Sequence, residues 1–304
     1  MTSDLLITTT VGERARPVEQ PTEAAAPRSS SLRRVAASAV RQPGLVAAVL
    51  VLATVVLWAV APALFTGSSP IDGVPRDKLQ PPSAAHIFGT DNLGRDLFAR
   101  VVHGSGTSLL ATTAAVLVGL VAGSLFGLLA GYLRGIVDDA VMRVMDVLLA
   151  VPSLLLSLAL ITALGFGTLN VAVAVGLASV ASFSRVMRAE VITVSTAVYV
   201  EAARSSGVRW FTILRRHVLP NASGAVLALS ALEFGAAVLA ISSLSFLGFG
   251  APPPAPEWGS LVAGGRDYLA VAWWLTTIPG LVVVAVVLSA NRVAHAFERT
   301  GARR

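Results

Sequence analysis

Few side chains in this sequence could carry covalent chemistry, and those few do not converge. There is no cysteine, which removes disulfides, thiolate metal ligands and a cysteine nucleophile. The four histidines, His86, His103, His217 and His295, stand far apart and have no metal-ligand spacing, so no metal site is expected. No Ser/His or Asp/Asp arrangement has convincing catalytic spacing, and no catalytic residue is expected. A phosphate-binding loop of the Walker type needs a lysine after glycines. The only lysine, Lys78, lies in Arg76-Asp77-Lys78-Leu79-Gln80 with no such loop. If ATP drives this protein, another subunit must bind it.

Two carboxylates stand out by their surroundings. Asp146 and Glu233 lie within or beside long apolar runs, where an ionisable group is costly and signals a function by default. Asp146 is one helical turn from Arg143, so a structural pair with that arginine is the favoured expectation. Glu233 sits deeper, with no cation nearby in its own run. It could line a solute path and meet an amino group, or pair with a partner subunit.

The apolar runs are the elements that must position these groups. Of 304 residues, 55% are hydrophobic and 13% charged, and the mean hydropathy is +0.75. Soluble domains carry about 25% charge, so an integral membrane protein is expected. A span needs about 20 apolar residues. Long apolar stretches predict spans near 45–64, 107–131, 140–163, 170–187, 222–246 and 271–292, the fifth interrupted by Glu233. The third and fourth are separated by a turn at Gly165-Phe166-Gly167-Thr168-Leu169-Asn170, and Pro152 and Pro279 are expected to kink spans three and six. Residues 1–41 read as a disordered tail, and Leu97-Phe98-Ala99-Arg100-Val101-Val102 as an amphipathic interfacial segment. Gly119, Gly123, Gly127 and Gly131 recur every four residues in span two, a small-residue face for close helix packing.

Six spans place both termini on one side. With that side cytoplasmic, eighteen of the basic residues lie inside and five outside, as the positive-inside rule requires. The net charge of +6 is then a topology signal, and nucleic acid is not required as a partner.

The long polar stretch 188–221 is expected to be a cytoplasmic loop. Within it, Tyr199 to Ser206 reads as a short helix ended by Gly207. Val208 to Val218 reads as a second helix, stopped by Pro220. Glu201-Ala202-Ala203, then Gly207, then Leu219-Pro220 resembles the E-A-A-x3-G…L-P signature of the membrane subunits of binding-protein-dependent ABC importers. His217 stands where the broad signature has an aliphatic residue, and Arg216-His217-Val218-Leu219-Pro220-Asn221 looks like the ending in peptide-type members.

Three further stretches resemble the C-type permease of the dipeptide, oligopeptide and nickel importers. They are His86-Ile87-Phe88-Gly89-Thr90-Asp91-Asn92-Leu93-Gly94-Arg95-Asp96, the segment from Ala130-Gly131-Tyr132 through Asp138 to Pro152, and Ser245 to Gly250 with Pro252 to Gly259. In the first, local Asp–Arg pairing is expected to shape the approach to span two.

The resemblance implies an all-α, six-span permease of the type I importer fold. It implies a tail over 1–41, a first span with an extracytoplasmic segment over 42–105, a permease domain over 106–295 and a cytoplasmic tail over 296–304. It further implies a plasma-membrane location in a bacterium and a second, homologous permease as heterodimer partner. Two cytoplasmic ATPase subunits, or one fused ATPase, would carry ATP and Mg, and an external solute-binding protein would deliver cargo. Glu201, Ala202, Ala203, Gly207, His217, Leu219 and Pro220 are the residues it assigns to ATPase coupling. Span one is expected to wrap the partner. Di- or oligopeptides are the implied cargo. Nickel chelates or haem are the alternative within the family, and an ATP-independent secondary transporter is the alternative outside it.

Overall fold

The computed structural model describes residues 43–301, with side chains to residue 296. The expected tail over 1–41 lies outside the described residues. Every regular element described is helical, with one isolated bridge between Thr90 and Asp96. The long helices are α1 (Pro43–Val60), α2 (Leu97–Leu133), α3 (Gly135–Ala150), α4 (Ser153–Leu164) and α5 (Thr168–Ser195). Then come α6 (Val198–Ser205), α7 (Trp210–Ile213), α8 (Leu219–Phe246), α9 (Trp258–Gly265) and α10 (Trp274–Gly301).

The pair α2 and α5 forms the centre. A Cβ on Gly119 would meet Ser179, one on Gly123 would meet Val180 and Phe183, and one on Gly127 would meet Ser184 and Met187; at Gly131 it would meet Arg188 and Val191. Both numberings rise together, so the two helices run parallel. The glycines let the backbones approach where lipid offers no hydrophobic drive. Parallel neighbours require the chain to return between them, and α3 with α4 is that return. They are bent by 97° at Val151–Pro152, where proline cannot continue the hydrogen-bond ladder. Among the described residues five helices are long and apolar enough to cross a membrane, six if the bent pair is one span.

The remaining spans pack around this centre. Val218 just before α8 and Ala222 and Val226 within it join Phe183, Met187 and Val191 of α5, whereas Ala237, Ile241 and Leu244 join Val171, Ala172 and Val175, so α8 is antiparallel to α5. Val283, Val286 and Val287 of α10 pack on Val238, and Val55 joins them from α1. In this chain α1 rests on its own α10 and α2 and leaves Val49, Leu50, Val56 and Val60 exposed.

Several boundaries differ from the sequence reading. Leu97 to Val102 is no interfacial helix: it is the start of α2, capped by Asp96, with Leu97, Val101 and Val102 buried. α2 therefore runs across the expected domain boundary at 105/106. At about 1.5 Å per residue its 37 residues reach about 55 Å, well past a hydrocarbon core of about 30 Å. α5 continues to Ser195, which shortens the connection expected from 188. Of the expected tail over 296–304, residues 296–301 continue α10 as helix and 302–304 lie outside the described residues.

Pro220 does not stop a helix. It lies in the first turn of α8, behind a π-helical turn at Leu214–Val218, where the Leu219 N–H donates to the Leu214 carbonyl five residues back. The wider turn accommodates the missing N–H and ring of proline, which an α-turn would set against the carbonyl of Arg216.

Candidate functional site

The segment between α5 and α8 is a rooted projection. Val200 on α6, Ile213 on α7 and Val218 in the π-turn are fully or almost fully buried against Phe183, Met187 and Val191. These anchors were not singled out in the sequence, although their i, i+13, i+18 spacing across three short turns left no periodic signal to find. On the opposite side Glu201, Ala202, Arg204 and Gly207 are exposed, and Ala203 is half-buried on the core side. Glu201 lies in the first turn of α6, where the helix dipole favours a carboxylate.

Gly207, at φ +76°, ends α6. The Val208 N–H donates to the Ala203 carbonyl at 3.2 Å and the Gly207 N–H to the Arg204 carbonyl at 3.0 Å. This is the paired 6→1 and 5→2 bonding of a Schellman cap, which needs a left-handed residue. Two aromatic contacts tie the projection down. The Tyr132 hydroxyl donates to the Trp210 carbonyl at 3.2 Å with rings 6.2 Å apart, and Tyr199 lies 6.2 Å from the half-buried His217 ring. Leu219 and Pro220 are exposed at the foot of α8. A short exposed helix surface with small residues at Ala202 and Gly207 and charges at Glu201 and Arg204, rigidly based, suits docking into another protein's groove.

The charged groups of the spans pair across helices. Arg188 donates two bonds to Asp138, Nε to Oδ1 at 2.5 Å and Nη2 to Oδ2 at 2.6 Å, joining the foot of α3 to α5. Asp146 accepts from Arg185 Nη2 at 2.5 Å. This corrects the expectation of a pair with Arg143, which is exposed and has no ion-pair partner among the described residues. The neighbouring helix α5 instead brings Arg185 within bonding distance of Asp146. Glu233 is half-buried on α8 and makes no hydrogen bond or ion pair among the described residues.

The opposite end is built around carboxylates that the sequence reading counted only as charges or as local pairs. Asp91 Oδ1 accepts from the N–H groups of Leu93 and Arg95, and Asp91 Oδ2 from Arg95 Nε at 2.6 Å. Arg100 donates to the Pro70 carbonyl at 2.8 Å. His86 Nδ1 lies 2.9 Å from Asp96 Oδ2, while Asp96 Oδ1 caps Ala99. Glu257 is fully buried and caps α9, accepting from the N–H groups of Gly259 and Ser260 at 3.1 and 3.0 Å and from Ser108 Oγ at 3.4 Å. Burial pushes its carboxyl above the usual carboxylate range, and the hydrogen bonds from the backbone and Ser108 offset part of that.

Residues 123–300 match the family described as "Binding-protein-dependent transport system inner membrane component". The chain is 37% identical over 219 residues to the di/tripeptide transport system permease protein DppC of Pseudomonas aeruginosa, covering 70% of this chain and 72% of that protein. It is 34% identical over 244 residues to the dipeptide transport system permease protein DppC of Alkalihalophilus pseudofirmus, covering 80% of each. Among solved structures, an amino acid ABC transporter shares the fold with a TM-score of 0.52 at 18% identity, over 67% of this chain and 94% of that one.

Proposed function

Because this chain belongs to the family of binding-protein-dependent transport system inner membrane components, we propose that it is the C-type permease subunit of an ATP-driven importer of di- and oligopeptides. The relatives named as di- and tripeptide permeases support the cargo. The observation that carries the mechanism is α6: an exposed Glu201-Ala202 surface, rooted through Val200 in the core against α5. A push on that surface reaches α5 and α8 without an intervening flexible loop.

In this reading two cytoplasmic ATPase subunits, or one fused ATPase, bind ATP and Mg and dock on α6, with Glu201, Ala202, Ala203, Gly207, His217, Leu219 and Pro220 forming or supporting the contact. A second, homologous permease completes the path as a heterodimer, and an external binding protein delivers solute. ATP-driven closure of the ATPases moves α6, and the spans alternate between outward and inward access. Such a switch needs a difference in binding between the two states of several kcal/mol, which ATP and the loaded binding protein supply. The distribution of arginines supports cytoplasmic termini in a bacterial plasma membrane. The chain itself acts as a transport component and does no chemistry.

Uptake of labelled dipeptide, oligopeptide, nickel and haem in cells lacking this chain, restored with the native form or with Gly207→Pro, tests the reading. Proline cannot adopt φ +76°. Peptide uptake restored by the native form alone, at equal protein abundance, is the expected result. Restoration of nickel or haem instead would change the cargo, and normal transport by the variant would remove the coupling role.

A further inference from the structure

The two ion pairs between α3 and α5 differ in a way that packing does not require. Asp138 and Arg188 form a two-bond pair with side chains 13% and 35% exposed. This pair already fastens the foot of α3 to α5. Asp146 and Arg185 make a single contact at 2.5 Å, with side chains 59% and 54% exposed. An exposed single-contact pair adds little to fold stability, so it is not needed as a second fastener.

Its location makes the exposure costly. Arg185 lies one turn before Arg188, level with Gly123 and Gly127 of α2, and Asp146 is two turns past Asp138 near the bend at Val151–Pro152. Around the pair, Val144, Val147 and Leu149 are exposed apolar residues. Full charges standing open in such a setting face water or polar groups, because contact with hydrocarbon is too costly.

We propose that Asp146 and Arg185 form a station in the solute path for the two charged ends of a peptide. The peptide ammonium replaces Arg185 on Asp146, and the peptide carboxylate replaces Asp146 on Arg185. Each protein group exchanges one counter-ion for another, so neither is left uncompensated at any stage. The guanidinium retains donors suited to a carboxylate, and the pair closes on itself once the solute leaves. This rests on the peptide reading above.

The test uses the assembled complex, with second permease, ATPases and binding protein, in proteoliposomes. It is given a dipeptide carrying a diazirine in its C-terminal residue, and cross-links are mapped by mass spectrometry. Uptake of the unmodified labelled dipeptide is measured in parallel for native, Asp146→Asn and Arg185→Gln complexes, per assembled complex. Cross-links within a turn of Asp146 or Arg185, and uptake lowered at least about tenfold in each variant, are expected from losing a charge-assisted contact. Cross-links elsewhere, or unchanged uptake per complex, overturn the station while leaving peptide transport standing. Poor recovery of the assembled variants with unchanged uptake per complex assigns the pair to the second permease instead. Absence of peptide uptake by the native complex overturns the peptide reading, and the station with it.

Discussion

Gly127 of α2 lies against the backbone of Ser184 in α5, so that a Cβ on Gly127 would sit 2.3 Å from the Ser184 carbonyl oxygen. Backbone cannot swing aside as a flexible side chain can, so the helix pair at the centre of the fold depends on this position having no side chain.

Gly127→Ala is therefore expected to force α2 and α5 apart, at about 1–3 kcal/mol for overpacking. A lowered Tm of the purified protein checks this. Gly224→Ala serves as the comparison, since nothing lies within 4 Å of a Cβ there, and its Tm should stay close to that of the native protein.

Glu257 gives a pH signature. Its carboxyl is held above the usual range by burial, so the folded chain binds its proton more tightly than the unfolded chain does. Stability from this group is full below the ordinary glutamate pKa and declines as pH rises toward the folded value. The Tm of Glu257→Gln should thus gain on the native Tm as pH rises above about 4.5. A constant difference across pH would contradict this. Glu257→Ala leaves the N–H groups of Gly259 and Ser260 without their acceptor, at about 1–3 kcal/mol for each group that is buried.

Glu233→Gln keeps shape and removes charge at the unpaired carboxylate of α8. If that group lines the path, peptide uptake falls severalfold at normal protein level. Unchanged uptake would place Glu233 outside the path.

Asp138→Asn breaks the two-bond pair with Arg188. Faster amide hydrogen exchange across 135–150 is expected, since the foot of α3 then loses its tie to α5. Asp146→Asn should leave exchange in that stretch near native, because its exposed contact contributes little to holding the helices.

The projection that carries α6 was only partly legible in the sequence. The short helix and its glycine end were readable, because a left-handed cap has a local chemical signature in Gly207. The role of Pro220 was not: whether a proline stops a helix or sits in its first turn depends on the turn before it, and the π-turn at Leu214–Val218 carries no sequence marker. The partner of Asp146 was missed for a related reason. Spacing along one helix proposes Arg143, but only the packing of α5 beside α3 brings Arg185 within bonding distance.

By itself the sequence determined what solvent and local backbone chemistry dictate. Charge-free runs long enough for a bilayer, the arginine bias between loops, the four-residue glycine stripe of α2 and the left-handed cap at Gly207 are all properties of short stretches, each readable without knowing the rest. The tertiary structure decided what depends on neighbours far apart in sequence. It set α2 parallel to α5, made α3 and α4 the bent return between them, buried Glu257 as a cap beside Ser108, and matched Arg188 with Asp138 and Arg185 with Asp146. Helices in a bilayer choose partners by close packing and by the compensation of buried charge, and both are settled only when the whole set of helices is assembled.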